Sequence, residues 1–327
     1  MVVKNYMNTI ISTFSGCGGS SLGYKLAGFK ELLAIDFNQN SVDTFKLNFP
    51  EVPVWMRDIT EVKAQEILDF CKIKPGELDI LDGSPPCQGF SMSGKRRVMD
   101  PRNRLFESFT YLIKELQPKV FVMENVPGQV RGTMKGLFKE ILASLKGLGY
   151  EVKVKIMNAK YYQVPQARQR LIYIGVRKDL NKVPSFPIPS DKVITVKEAL
   201  EGLKDIGEAK EPNGKVAEMY YQIIPGQGMD VSFNRHFHKS SYFNVRKLSW
   251  YKPSFTVTKT FSTSAAGLLH PKEFRFMTIN EIKRLCSFPD SFQMTGSFTE
   301  QWNRLGNAVM PNMMKAIALN IKDNILN

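Results

Sequence analysis

The chain has 327 residues, 43% hydrophobic and 11% aromatic, the make-up of an ordinary soluble globular protein with room for about two domains. The N-terminal MVVKNYMNTIISTF lacks a signal-peptide cleavage pattern and no stretch is long enough to span a membrane. Four scattered cysteines (Cys17, Cys71, Cys87, Cys286) without a CxxC pair argue against a disulfide framework or zinc ribbon and fit a reducing cytoplasm. A formal net charge of +14 favours a polyanionic partner and salt-sensitive association with it.

NTIISTF at 8–14 reads as a short buried strand, followed by the glycine turn Phe14-Ser15-Gly16-Cys17-Gly18-Gly19 and a helix-compatible stretch to Gly28. Glycines between a strand and a helix permit a tight turn and let a ligand lie against the backbone near a helix N-terminus. The dinucleotide fingerprint GxGxxG would need glycine at 21, where Ser21 stands, which weakens a nicotinamide reading and leaves other nucleosides open. ELLAIDF at 31–37 is a second strand carrying Asp36, 20 residues after Gly16, where an acid can hydrogen-bond both ribose hydroxyls. Asp58, closing WMRD, can accept from an adenine amino group or act as an N-cap before a helical run, and the two roles are compatible.

LDILDG at 78–83 leads into Gly83-Ser84-Pro85-Pro86-Cys87-Gln88-Gly89-Phe90-Ser91. Cys87 therefore stands near the carboxyl end of a strand, where open α/β folds bind ligands. A lone cysteine is more often an inert buried residue, but two preceding prolines fix the backbone that presents this thiol. A thiolate is the strongest common side-chain nucleophile, and basic surroundings favour it. KVFVMEN at 119–125 brings Glu124 to the same edge, where a partly desolvated carboxyl can carry a proton near neutral pH. EVKVKIMN at 151–158 and RLIYIGV at 170–176 are two more strands, separated by a loop holding Pro165. Arg168 and Arg170 of PQARQR lie at the start of the last one; residues two apart on a strand share a face, so the pair is expected to point together. Strands alternating with helical stretches define a doubly wound, mostly parallel α/β sheet within residues 1–180.

Prolines and glycines then crowd residues 181–275, read as a small irregular or β-rich domain with few clear helices. Between Pro212 and Lys272 there are eight Lys/Arg and two acids, Glu218 and Asp230, with aromatic residues interleaved. Phosphates need the cations, and bases can stack on the rings. His236 and His238 in HFH lack acids or cysteines beside them and are read as surface residues, so no metal is expected. A helical pattern resumes at Thr278–Cys286, and Val309–Ile325 reads as a terminal helix.

FSGCGG, PPCQGFS, ENV, QARQR and LGNAVMP, in that order, closely resemble the motifs of the DNA cytosine-5 methyltransferases of bacterial or phage restriction–modification systems. The resemblance covers most of the chain and fails only at about 180–270. It implies S-adenosylmethionine as cofactor, contacted by Phe14, Gly16, Gly18 and Gly19, with Asp36 on the ribose, where the family more often has glutamate. Phe37 would stack on adenine, Asp58 and Ile59 would hold its edge, and Pro86, counted with the cofactor-binding residues, would touch the flipped base. Cys87 would attack cytosine C6, with Glu124 at N3 and N4, Arg170 at O2 and Arg168 supporting the loop. Residues 88–104 would form a mobile loop over the DNA, including Gln88, Ser91, Lys95, Arg96 and Arg97. Segment 181–275 would be the target-recognition domain, in which Phe255-Thr256-Val257 matches a Thr-Leu element and places Thr256 on DNA. Residues 276–327 would return to the catalytic domain beside the glycine turn, with Asn307 among the cofactor-binding residues. The resemblance further implies a monomer acting on double-stranded DNA, without membrane or metal, in a bacterial cytoplasm or an infected host. The nearest alternative is a tRNA cytosine-5 methyltransferase, whose Cys-Phe-Thr element is Ser254-Phe255-Thr256 here. A zinc nucleobase deaminase would need PCxxC, and Phe90 stands where its second cysteine belongs. A non-enzymatic DNA-binding module would need neither the Pro-Pro-Cys loop nor the cofactor turn.

Overall fold

The computed structural model describes residues 7–86, 101–130, 135–237 and 244–327. Cys87, Gln88, Ser91, Lys95, Arg96 and Arg97 lie outside the described residues. The chain divides into two compact units: Met1–Met157 with Gln169–Ile188 and Met314–Asn327, and Asn158–Arg168 with Pro189–Met313.

The first unit is built on strands β1 (Thr9–Thr13), β2 (Lys30–Asp36), β3 (Val54–Met56), β4 (Ile80–Gly83), β5 (Val120–Asn125), β6 (Tyr150–Asn158) and β8 (Gln169–Arg177); the short β7 (Gln166–Ala167) belongs to the second unit. They form one sheet in the order β3-β2-β1-β4-β5-β8-β6. β1 to β5 run parallel, and β8 is antiparallel to β5. β4 and β5 are buried along almost their whole length, as strands covered on both faces must be, which is why they read as continuous apolar runs. β3 is a three-residue edge strand, only half-buried, and has no such run to announce it. Helices α1 (Gly19–Leu26), α2 (Gln39–Asn48), α3 (Ala64–Cys71), α4 (Pro101–Leu116) and α5 (Lys135–Gly147) connect the strands. Leu33, Leu81, Phe109, Ile113, Phe121 and Leu145 share one core cluster.

The strand order reverses between β1 and β4, creating the switch point at whose carboxyl edge open α/β sheets bind ligands. Thr13 at the end of β1 sits opposite Gly83 at the end of β4. The glycine turn and the loop that leads to Cys87 therefore leave the sheet from adjacent strands.

In the second unit, β9 (Gln227–Gly228), β10 (Asn244–Lys247) and β12 (Ala266–Leu269) form a three-stranded sheet, and β11 (Ser254–Phe255) pairs with β7. The helices here are α6 (Val196–Leu200), α7 (Gly214–Met219), α8 (Met229–Phe237), α9 (Ile279–Leu285) and α10 (Phe298–Asn307), and α11 (Pro311–Ile321) follows. Val216, Tyr220, Met229, Val245, Leu269 and Phe276 form its core cluster. The segment is thus more helical than its proline content suggests. Capping boxes at Thr195/Glu198, Thr278/Glu281 and Ser297/Glu300 start α6, α9 and α10, each satisfying amides that a helix start would otherwise leave open. Among the described residues no helix is long and apolar enough to cross a membrane, and no group of three His, Cys, Asp or Glu could hold a metal ion.

Candidate active site

The glycine turn is held by its own acid. Gly16 donates its amide to Asp36 Oδ2 at 2.8 Å, and Asn38 donates its amide to Oδ1 at 2.9 Å. Burial raises the Asp36 carboxyl, and these backbone bonds oppose the rise. A carboxylate has more lone pairs than these two donors use, so Asp36 can still accept from a ligand. Phe14 and Gly16 both adopt the left-handed region, at φ 55°, and a Cβ on Gly16 would meet open space. Gly18 is required for a different reason: at φ 92° its Cβ would lie 2.4 Å from the Phe49 ring. Gly19 is buried at the start of α1.

Phe37, next to Asp36, is 72% exposed. An uncovered aromatic ring beside a fixed acid and an open glycine turn fits a nucleoside, which buries a flat base and hydrogen-bonds its sugar. Asp58 is exposed and caps the short helix at Ile59–Glu61 through the Thr60 amide and hydroxyl, at 2.9 and 2.8 Å. Ile59 is buried in the core, so its backbone is what it can offer a ligand.

On the neighbouring loop, Pro85 is buried and Pro86 exposed. Asn125 Nδ2 donates to the Pro85 carbonyl at 3.0 Å, and its Oδ1 accepts from the Val126 amide at 2.8 Å. This residue, missed in the sequence, ties the end of β5 to the backbone two residues before Cys87. Its signal was available, because it directly follows Glu124. Since β8 runs antiparallel to β5, the start of β8 shares the edge where β5 ends, and Arg170 Nε lies 2.5 Å from Glu124 Oε1. Both side chains are 13% exposed. The result is a largely desolvated acid–guanidinium pair, able to face a polar ligand with a carboxylate acceptor beside a fixed cation.

Arg168 departs from the expectation that it points with Arg170. The chain breaks between β7 and β8 at this residue, so strand alternation does not run through it. Arg168 is 1% exposed in the second unit, where its guanidinium donates to the carbonyls of Val257 (2.8 Å), Gly306 (2.8 Å) and Ala308 (3.1 Å). It therefore pins the neighbour of Thr256 to the neighbours of Asn307. Thr256 Oγ1 adds a bond to the Ala167 carbonyl at 2.9 Å, and the exposed Asn307 bonds Asn303 at 3.0 Å. Gln166, also missed, is fully buried: it donates to Leu285 O and Cys286 Sγ at 3.3 Å, and accepts from the Val257 amide at 3.1 Å. Burial pushes the Cys71 and Cys286 thiols up to about 11, which keeps both protonated at neutral pH.

A doubly wound sheet with a nucleoside-fitting turn and a Pro-Pro-Cys loop on either side of its switch point defines an S-adenosylmethionine-dependent methyltransferase. More particularly, the chain belongs to the C-5 cytosine-specific DNA methylase family, whose model matches residues 8–323. It is accordingly a DNA cytosine-5 methyltransferase. It is 35% identical to the Type II methyltransferase M1.HphI of Haemophilus parahaemolyticus, over 95% of this chain and 85% of that one. It is 32% identical to the Type II methyltransferase M.NgoPII of Neisseria gonorrhoeae, over 97% of this chain and 96% of that one. A crystal structure of a protein encoded within an E. coli prophage matches with a TM-score of 0.80 and 26% identity, covering 98% of this chain and all of that one.

Proposed function

We propose that this enzyme methylates one cytosine within a specific double-stranded DNA sequence by covalent catalysis from Cys87, as the modification half of a restriction–modification pair. The observation that carries this reading is the Glu124–Arg170 pair, 2.5 Å apart on the edge of the sheet from which the Cys87 loop departs. Cytosine C5 is too weak a nucleophile to take a methyl group unaided. The Cys87 thiolate adds to C6, and the electron pair pushed into the ring makes C5 nucleophilic. Glu124, at N3 and N4, and Arg170, at O2, stabilise the charge that develops there. S-adenosylmethionine supplies the methyl group from its sulfonium. Loss of the C5 proton then lets the Cys87 sulfur leave with its bonding pair. Because a thiol loop cannot reach C6 inside a stacked duplex, the base must be flipped out.

Asp36, Phe37, the Gly16–Gly19 turn, Phe14, Asp58 and the Ile59 backbone hold the cofactor, with Pro86 between it and the base. Arg168 is a positioning residue that supports the segments carrying Thr256 and Asn307. Gln88, Ser91, Lys95, Arg96, Arg97 and Thr256 contact DNA, and residues 181–275 read its sequence. The enzyme acts as a monomer in the cytoplasm.

Bisulfite sequencing of plasmid recovered from expressing cells tests the proposal. One sequence context should be fully protected from conversion, and Cys87→Ala should abolish the protection. Methylcytosine in tRNA with none in the plasmid would hand the case to an RNA methyltransferase.

A further inference from the structure

Two carboxyl groups of the first unit that the proposed chemistry does not use, the buried Asp82 and the half-buried Glu31, hold helix α1 by hydrogen bonds. Helix α1 begins at the glycine turn and carries Ser20, Ser21 and Tyr24, all buried. Tyr24 donates its hydroxyl to Asp82 Oδ1 at 3.2 Å, and the Ser20 side chain hydrogen-bonds the same carboxyl. Residues four apart share a helix face, so one acid grips two successive turns of α1. Beside it, Ser21 donates to Glu31 Oε1 at 3.0 Å, and Ser12 of β1 donates to the same oxygen. A register shift between Ile10 and Ile11 sets Glu31 opposite Ile10, and so on the side of the sheet that Ser12 occupies. Among the described residues neither Asp82 nor Glu31 forms an ion pair. Burying such groups is costly compared with apolar packing. In exchange, hydrogen bonds fix a helix in distance and direction, whereas apolar contacts tolerate sliding.

Asp82 lies one residue before Gly83, the last residue of β4, after which the sequence runs through Pro85 and Pro86 to Cys87. We propose that Asp82 is a positioning residue: it locks the helix behind the cofactor turn to the strand that delivers the nucleophile, and so sets the spacing of the two loops. This rests on the glycine turn being the cofactor seat.

The titratable groups around the clamp are Tyr24 on α1, Glu31 on β2 and Glu124 on β5, the last beside Arg170 on β8. Burial pushes Asp82 up to about 7, with Glu124 adding to the rise and the Ser20 and Tyr24 bonds opposing it. Burial likewise lifts Glu31 to about 8, opposed by Ser12 and Ser21. Tyr24, raised well above its ordinary value by burial, keeps its proton and stays a donor. An ionised acceptor binds these hydroxyls more strongly than a neutral acid does. The clamp therefore tightens as pH rises through about 7.

The test is equilibrium binding of S-adenosylmethionine and of its product without the sulfonium, S-adenosylhomocysteine, to the full chain at pH 6 and pH 8. Wild type should bind both more tightly at pH 8. In a Glu31→Gln background, which removes the neighbouring titration, the pH dependence should remain while Asp82 is present and be lost in Asp82→Asn, which keeps an acceptor for Tyr24 but cannot ionise. Tyr24→Phe should weaken both ligands at pH 8 by about tenfold, the effect of one charge-assisted hydrogen bond, while DNA affinity stays unchanged. Three outcomes overturn the proposal: pH dependence that persists in Asp82→Asn on the Glu31→Gln background, wild-type affinity in Tyr24→Phe, or an effect confined to the sulfonium, which would make Asp82 a direct electrostatic partner. If the wild type binds neither ligand, the cofactor seat itself has been misread.

Discussion

Arg168→Ala should destabilise the second unit strongly, because its guanidinium is spent on structure. The side chain is 1% exposed, and two of its nitrogens supply the carbonyls of Val257, Gly306 and Ala308. A hydrogen bond from a charged donor contributes about 1.5–3 kcal/mol, and a buried acceptor left without its donor loses most of that. The three bonds share one cation and the site can relax around a void, so the total falls short of their sum, at about 3–5 kcal/mol. Arg168→Lys should lose much of the same, since one ammonium cannot reproduce a planar fork. Trp302 offers the readout: it is buried in the same unit and donates to the Thr258 carbonyl at 3.0 Å, one residue from Val257. Urea unfolding followed by its fluorescence should show a midpoint lower by about 2 M, taking a slope of about 2 kcal/mol/M. An unchanged midpoint with collapsed turnover would mean that Arg168 acts on the substrate, and the account of its position would be wrong.

Gly306→Ala should cost at least about 2 kcal/mol, because its Cβ would stand 2.4 Å from the Thr258 carbonyl oxygen, a backbone atom with little freedom to yield; a wild-type urea midpoint would contradict this. Asn125→Ala should lower kcat by about tenfold with cofactor affinity unchanged, since it frees the Pro85 carbonyl and misaims the loop that follows. Single-turnover kinetics beside calorimetry would separate the two, and an intact kcat would remove Asn125 from the site. The buried carboxyls make a stability prediction with a definite sign. Asp82 is raised from 3.8 to about 7, so its neutral form contributes fully below about pH 4 and that contribution is lost as pH rises toward 7. Asp82→Asn should therefore gain on wild type between about pH 4 and about pH 7 and level off above, by at most about 4 kcal/mol. Parallel stability curves for the two proteins would show that the carboxyl is solvated.

The parts of the site legible in the sequence were those where one local pattern decides placement. Apolar runs ending in Asp36, Gly83 and Asn125 marked strands whose carboxyl ends share an edge, and the glycine turn after β1 followed from chain geometry alone. Long-range partners were not legible. Arg168 and Arg170 lie two apart in sequence, yet one serves carbonyls at 257, 306 and 308 and the other an acid at 124. Nothing in PQARQR announces that the strand breaks at Arg168. Asp82 hid within an apolar strand, and its partners on α1 are about 60 residues away. The helices of the second unit are masked in the sequence by its prolines, although the Thr195/Glu198 and Ser297/Glu300 capping boxes mark two of their starts.

The central claim is that Cys87 bonds to the target base. Duplex DNA carrying 5-fluorocytosine at the methylated position tests it most directly. The thiolate can still add at C6 and the methyl group can still reach C5, but fluorine cannot leave as a cation, so elimination stalls. A slow-migrating adduct should appear on a denaturing gel only when S-adenosylmethionine is present, and peptide mapping should place it at Cys87. Cys87→Ser, whose hydroxyl is far less ionised than a thiol, should give none. An adduct on Cys17, Cys71 or Cys286, or one that persists in Cys87→Ser, would contradict the account.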